Sequence, residues 1–299
     1  MEVNDLFDNI LNLSMSNKEI IELIKKNKPF SVIRLGVGHE THITVEYITT
    51  KNIDLEKYLH ESCNLNGIYS KTNDKLKFVL YCNFYNKSIK EADILASHLS
   101  NSRNIGNIQK FFSQKYNLKQ IHARSLEPYY ICMENEIPWS HYLLGKKILI
   151  INPFVESFKK QMENGFKLFK GDKKNIFLDG QEILYYKSYQ TIAGNHIHND
   201  WFETFKIMCN DIKNIDFDIA LLGCGGYGLP LCHYIKSRLN KSAIYIGGGL
   251  QLLFGVMGNR WENNEMWKQI IKDNDCKFIR PSKEETCLNH DKIEGACYW

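Results

Sequence analysis

The sequence has no hydrophobic stretch long enough to cross a membrane. Its longest apolar runs, such as Ile148–Ile151 and Ile219–Leu222, are far shorter than the roughly 20 residues that a spanning helix needs. The first residues, Met1–Asp5, also lack the basic and apolar regions of a signal peptide. We therefore expect a cytoplasmic protein without a membrane span.

Paired cysteines and concentrated charge are missing as well. The nine cysteines are scattered singly with no C-x-x-C motif, and an odd number without a secretory signal is typical of reduced thiols. The 38 basic and 34 acidic residues are dispersed, which gives a net charge of +4 without the basic cluster of a nucleic-acid-binding face. Nucleic acid is therefore not an expected partner, whereas a local site for an anionic small molecule remains open.

What is present fits a globular α/β protein. The 299 residues are 43% hydrophobic, enough to bury a large core without disulfides or structural metals. Two short helices are expected first, at Asn4–Leu13 and Lys18–Lys26, with Ser16 as a cap. The predicted strands are Phe30–Leu35, Phe78–Cys82, Gln120–His122, Tyr129–Met133, Lys147–Ile151, Ile176–Leu178, Ile219–Leu222, Ala243–Ile246 and Phe278–Ile279. Strands that alternate with helices predict a Rossmann-like, mostly parallel sheet with helices on both faces.

The domain organisation stays open between two arrangements. Residues 1–299 form either a single α/β unit or two packed halves, and the best seam is Leu144–Lys147, just before the strongest strand. In the second case an N-terminal half, 1–145, would precede a nucleotide-binding half, 146–299.

A glycine-rich turn is the sharpest local motif. The apolar strand at Ile219–Leu222 runs into G-x-G-x-x-G and then into a helical pattern with Pro230 in its first turn. Amides at a helix start carry partial positive charge, and glycines let a phosphate approach the backbone. This context predicts a diphosphate site whose residues are Gly223, Gly225, Gly226, Tyr227 and Gly228.

A second glycine turn follows the next strand. A dinucleotide-binding protein would have an acidic residue there, about 20 residues after the motif, to hold the ribose. The sequence has Gly247, Gly248 and Gly249 instead, which favours a nucleoside diphosphate over NAD. An NAD(P)-dependent oxidoreductase remains the alternative, and all of these glycines could also serve only close helix–sheet packing.

A polar cluster follows the first predicted strand. Arg34 could clamp an anion bidentately, and Gly36 and Gly38 open the turn after it. His39 and Glu40 are candidate catalytic residues because either could take a proton from an attacking hydroxyl. The alternative is an ordinary turn with a structural arginine–carboxylate pair. No metal site is predicted here, since the histidine spacing is not that of a helical zinc motif.

These motifs resemble the GT-D-type glycosyltransferases and related proteins of polysaccharide loci. The resemblance rests on the R-x-G-x-G turn, the strand–glycine turn–helix and the segment Ile246–Gly255, and is strongest from about residue 147 to residue 261. It implies sugar transfer from a nucleoside-diphosphate donor to a hydroxyl of a glycan or glycoconjugate in polysaccharide biosynthesis. In the family the first turn reads approximately R-[FI]-G-D-G-E, and its acidic pair is associated with donor and divalent-metal binding.

The first turn departs from that family pattern. Val37 and His39 stand at the two acidic positions, and Glu40 comes one residue late. Use of Mn²⁺ or Mg²⁺, metal-free catalysis, and a catalytically inactive nucleotide-sugar-binding subunit are therefore all open.

Three further features complete the candidate site. Asp200 is a third candidate base in a loop suited to sugar, Gln190–Glu203, although the favoured role of Asn199 or Asp200 is to cap a helix over Trp201–Cys209. Arg260 is a candidate for the donor phosphate. Tyr298 and Trp299 are expected to pack back onto the body or roof the cleft, with a homo-oligomer interface as the alternative.

Overall fold

The computed structural model describes residues 7–171 and 175–299. Within them, seven strands form one parallel sheet in the order β3-β2-β1-β7-β6-β4-β5. The strands are β1 Ser31–Arg34, β2 Ile94–Ser97, β3 Lys119–His122, β4 Lys147–Asn152, β5 Glu182–Lys187, β6 Ile219–Leu222 and β7 Ser242–Tyr245. The predicted Rossmann-like α/β class is confirmed.

Helices connect the strands and cover the sheet. They are α1 Leu13–Lys25, α2 His39–Thr50, α3 Leu55–Asn66, α4 Lys75–Lys90, α5 Ile105–Tyr116, α6 Pro128–Met133, α7 Val155–Glu163, α8 Trp201–Ile212, α9 Gly228–Leu239, α10 Leu250–Leu253, α11 Asn259–Glu262 and α12 Glu265–Asn274. In the described parts of the chain, no helix has a long enough apolar stretch to cross a bilayer.

Two apolar clusters lie on opposite faces of the sheet. Successive side chains of a strand point to opposite faces, so Ile148 of β4 packs into one cluster and Leu149 into the other. The same alternation separates Val32 from Ile33 in β1. Because both faces are buried, the central strands are continuous apolar runs, which is the signal that located them in the sequence.

Strands from both sides of the seam at Leu144–Lys147 share this sheet. Strand β1 pairs with β7, whose register aligns Val32 with Ile244. The carboxyl ends of β1, β4, β6 and β7 therefore meet at one edge of the sheet.

Two of the predicted strands are helical. Phe78–Cys82 lies inside α4, and Tyr129–Met133 lies inside α6, where Pro128 occupies the first turn. A short apolar run does not distinguish a strand from a buried helix. The buried residues of α4 include Phe78, Tyr81, Cys82, Tyr85 and Ile89. Their spacing of three and four residues is helical, but the five residues Phe78–Cys82 alone are too few to show it.

Other predicted elements also differ. Ile176–Leu178 forms no strand, and Phe278–Ile279 contributes only one bridge, from Ile279 to Val256. Strands β2 and β5 were not predicted.

The N-terminal prediction is only partly testable. Residues 4–6 of the expected helix Asn4–Leu13 lie outside the described residues, and residues 7–12 are not helical. Helix α1 begins at Leu13, where the side chain of Asn12 accepts a hydrogen bond from the amide of Met15 at 2.9 Å. Ser16 lies inside the helix and is not its cap.

Candidate functional site

A cavity of about 310 Å³ opens at the carboxyl edge of the sheet. Arg34 ends β1, Asn152 ends β4, and the turns after β6 and β7 contribute Gly223 and Gly247 to its wall. Open parallel sheets bind ligands at this edge, and the volume is that of a small-molecule site.

The first glycine turn is held in place by side chains of other elements. The amide of Asn152 donates to the carbonyl of Gly223 at 2.7 Å, and the Tyr245 hydroxyl donates to the carbonyl of Gly225 at 3.1 Å. Gly225 has a φ of +56°, and a Cβ built there would find only the carbonyl oxygen of Asn66 within 4 Å, at 3.9 Å. The first amides of a helical turn have no partner within the helix, so this open turn can receive an anion.

The other glycines of the first turn serve packing. Gly226 and Gly228 do not line the cavity. A Cβ on Gly228 would overlap the ring of Tyr245, and one on Gly226 would lie 2.6 Å from the carbonyl oxygen of Asn66. Tyr227 lines the cavity and stacks on Trp201 with ring centroids 5.1 Å apart.

The second glycine turn is covered by side chains. A Cβ on Gly247 would lie 2.6 Å from the guanidinium of Arg34, and one on Gly248 would lie 2.5 Å from the ring of Tyr298. Gly249 lies outside the cavity lining, because its α-carbon faces the carboxylate of Glu127. These glycines therefore let side chains approach the backbone, and they leave less bare surface than the sequence suggested.

Arg34 is fixed beside the cavity by a largely buried ion pair. Its guanidinium contacts the carboxylate of Glu127 at 3.1 Å, and the two side chains are 18% and 11% exposed. The second oxygen of Glu127 accepts a hydrogen bond from Tyr129 at 2.7 Å. The structural pair expected as an alternative role of Arg34 is thus present, on a side chain that also lines the cavity.

Removing Arg34 should destabilise the fold. We expect Arg34→Met to lower the free energy of unfolding by about 3 kcal/mol in urea titrations, because Glu127 would remain buried without its cation. The control is Arg124→Met, since Arg124 is exposed and its guanidinium rests on the ring of Tyr130. A loss for Arg34→Met no larger than that of the control would contradict the role assigned to the pair.

Glu40 brings a buried carboxyl group with a raised pKa to the cavity. It lies in the first turn of α2, and its carboxyl packs where side chains on Gly36 or Gly38 would otherwise sit. The residue is 6% exposed, and burial raises the pKa of its carboxyl from the usual 4.5 to about 7. A carboxylate with that pKa can accept a proton at neutral pH.

The other two candidate bases lie outside the cavity lining. His39 points away and pairs with Glu61, and burial lowers the pKa of its ring. Asp200 caps α8 by accepting a hydrogen bond from the amide of Glu203 at 3.0 Å, and it pairs with Lys77 at 2.9 Å. The capping role left open for Asp200 is therefore observed, and only Glu40 of the three carries its proton-accepting group to the cavity.

Arg260 reaches the cavity from α11. Its guanidinium donates to the Tyr298 hydroxyl at 3.1 Å and contacts the carboxylate of Glu294 at 2.5 Å. Arg103, which the sequence analysis missed, approaches the same carboxylate at 3.9 Å. An anionic ligand that bound these two arginines would have to compete with Glu294.

The C-terminal segment closes one side of the cavity, as expected. Tyr298 and Trp299 both line it, and Trp299 is 7% exposed.

The buried carboxylate of Glu285 accepts hydrogen bonds from the first amides of α7, at 2.8 Å from Glu156 and 3.1 Å from Ser157. The turn after β4 is therefore already occupied by an internal anion, unlike the open turn at Gly225.

His98 is another cavity residue without a sequence signal. It follows β2, a strand that was itself missed. Burial and the nearby charge of Arg34 lower the pKa of its ring to about 4. The ring is thus neutral near pH 7 and adds no charge to the cavity.

A parallel sheet covered by helices, with a glycine-lined cavity at its carboxyl edge, defines a Rossmann-like protein. The family model described as GT-D fold-like domain matches residues 14–253, and the chain belongs to that family. This supports the predicted glycosyltransferase class. A structure titled "A New Glycosyltransferase (DUF1792) from Streptococcus sanguinis" is 14% identical, with a TM-score of 0.41 over 92% of this chain and 95% of that one. No curated protein matches the chain.

The side chains of the turn after β1 do not form a ligand set that fits a divalent cation. Val37 offers no ligand atom, His39 faces Glu61, and Glu40 is the one residue of this turn that brings a carboxylate to the cavity. Among residues 7–171 and 175–299, no group of three His, Cys, Asp or Glu side chains is arranged to hold a metal ion. Hard cations prefer several oxygen ligands, which this cluster does not supply.

Proposed function

We propose that the protein transfers a sugar from a nucleoside-diphosphate donor to a hydroxyl of a glycan or glycoconjugate acceptor. The observation that carries this proposal is the meeting of an open glycine turn, the guanidinium of Arg34 and the buried carboxyl of Glu40 in one cavity. Such a set combines an anion cradle, a fixed positive charge and a proton acceptor.

The diphosphate would bind at the turn around Gly225. Its oxygens would accept hydrogen bonds from the amides that open the turn, and Arg34 would lie alongside. Negative charge grows on the diphosphate as the bond to the sugar breaks, so preorganised positive groups act where they lower the barrier. Arg260 and Arg103 would add further positive charge next to the diphosphate once the ligand displaces the carboxylate of Glu294 from these two side chains.

Glu40 would accept the proton of the acceptor. In a direct displacement the acceptor oxygen bonds to the anomeric carbon, the bond from that carbon to the diphosphate oxygen breaks, and the hydroxyl proton passes to the carboxylate. A pKa of about 7 suits this role, because the base is then deprotonated in a large fraction of molecules at neutral pH.

Ligand-induced stabilisation tests the proposal. The protein would be melted with UDP-, GDP- and dTDP-sugars and with NADH, each with and without Mn²⁺. A ligand at 100 times its Kd adds about 2.7 kcal/mol of stability, so we expect a clear rise in Tm with one nucleotide sugar and none with NADH. A rise with NADH alone would favour the oxidoreductase alternative. Nucleotide-sugar binding without hydrolysis or transfer would indicate a binding subunit.

A further inference from the structure

Three buried oxygen atoms of cavity residues lack hydrogen-bond partners. They are Oε2 of Glu40, Oδ1 of Asn66 and Oε1 of Gln190, and none has a partner among the described residues. All three are acceptors. Buried acceptors are normally paired, so this cluster calls for a ligand that donates several hydrogen bonds.

The acceptor of Gln190 is fixed by its other contacts. Its Nε2 donates to the carbonyl of Glu285 at 2.7 Å, which identifies the remaining amide atom as an oxygen. Glu285 is anchored in turn by its contacts with the first amides of α7. Gln190 is thus supported by a rigid part of the fold.

Asn66 lies between the turn after β1 and the turn after β6. It ends α3, because Gly67 follows with a φ of +69°. Its side-chain amide nitrogen would lie 2.7 Å from a Cβ on Gly38 and Oδ1 would lie 3.3 Å from it, whereas the backbone carbonyl oxygen of Asn66 faces Gly225 and Gly226. The Thr191 hydroxyl donates to the carbonyl of Gly67 at 2.9 Å and so joins the end of α3 to the segment that carries Gln190.

We propose that Asn66 and Gln190 accept hydrogen bonds from hydroxyls of the transferred sugar and so determine donor specificity. This inference rests on the proposed function. A phosphate offers only acceptors and would be repelled by these oxygens, whereas a sugar ring carries hydroxyl donors. The backbone of Asn66 contacts the turn assigned to the diphosphate, and its side chain lies beside Gly38 together with the carboxyl of Glu40. Asn66 is thus placed between the diphosphate and the proposed base, where the transferred sugar must lie. The third oxygen, on Glu40, remains for the hydroxyl of the acceptor.

The test compares each nucleotide sugar with its own nucleoside diphosphate. Calorimetry would use UDP-glucose with UDP, GDP-mannose with GDP, and dTDP-glucose with dTDP. We expect Asn66→Leu and Gln190→Met each to weaken nucleotide-sugar binding about five- to tenfold, the usual effect of one lost hydrogen bond. Binding of the free diphosphate should change less than twofold. Wild-type protein should also bind a donor with a deoxy-sugar more weakly than the donor with all its hydroxyls. This comparison does not depend on whether a variant folds.

Two controls separate a contact with sugar from a structural effect. Asn64→Leu makes the same change on α3 outside the cavity lining, and Gln181→Met makes the other change at a glutamine outside the lining whose side-chain amide donates to the carbonyl of Ser140 at 2.7 Å. Neither should change the ratio of the two affinities. Equal weakening of diphosphate and nucleotide sugar, or no weakening, overturns this inference alone. If the wild-type protein binds neither ligand, the proposed function falls and this inference with it.

Discussion

Gly225→Val is expected to lower nucleoside-diphosphate affinity at least 100-fold while the fold persists. Gly225 lines the cavity, and a Cβ there would meet only the carbonyl oxygen of Asn66, at 3.9 Å. The added side chain therefore enters open space where a phosphate would approach the backbone. Calorimetry with UDP, GDP and dTDP measures the loss, and circular dichroism checks the fold.

The same substitution strains the backbone, and this effect needs its own control. A left-handed conformation costs roughly 1–2 kcal/mol for a residue with a Cβ. Gly180 has a φ of +86° with nothing within 4 Å of its built Cβ, and it is not among the residues that line the cavity. Gly180→Val should therefore lose similar stability and keep full affinity. Unchanged affinity in Gly225→Val would place the anion site elsewhere.

The two glycine turns contribute differently to the same cavity. The first is open at Gly225, whereas Gly247, in the second, packs against the guanidinium of Arg34. The second turn thus helps to hold a positive charge next to the amides of the first. A motif of glycines does not reveal this division of roles, because the covering side chains come from distant parts of the chain.

The central strands could be predicted because their sequences are continuous apolar runs. Runs such as Ile148–Ile151 and Ile219–Leu222 are apolar throughout, as strands buried on both faces must be. Strand β5 was missed because it lies at the sheet edge, is half-exposed and has Glu182 and Lys187 at its ends. Strand β2 was missed because only Ile94 and Leu95 of its four residues are large and apolar, a shorter apolar run than those of β4 and β6.

Residues of the candidate site could be predicted where they belong to a local sequence motif. Arg34, Gly36 and Glu40 were found because a strand followed by a glycine turn marks a sheet edge. Gln190 was indicated only as the first residue of the loop suited to sugar, and Asn66 was not predicted, because it reaches the cavity through folding contacts that no local pattern records. The same holds for Glu127, which pairs with Arg34 from 93 residues away.

Glu40→Gln is expected to lower kcat by about 10²- to 10⁴-fold, the usual contribution of a general base. Diphosphate affinity should change little, because the carboxyl faces Gly36 and Gly38 and the open turn at Gly225 is untouched. The wild-type rate should rise with pH as the carboxyl loses its proton around pH 7, and the variant should lack this rise. The control is Glu56→Gln, which makes the same change in the first turn of α3 at an exposed position.

Stability provides a second readout, independent of activity. The pKa of Glu40 is raised in the folded state, so the native protein binds more protons than the unfolded chain between about pH 4.5 and pH 7. Wild-type stability should therefore fall across that interval, by roughly 3 kcal/mol in total, as the buried carboxyl is forced to ionise. Glu40→Gln should remove this fall and be more stable than wild type at pH 8 in urea titrations. A variant with full turnover and an unchanged pH profile would show that another group takes the proton. Lost turnover with an unchanged stability profile would mean that the carboxyl is ionised more readily than its burial implies.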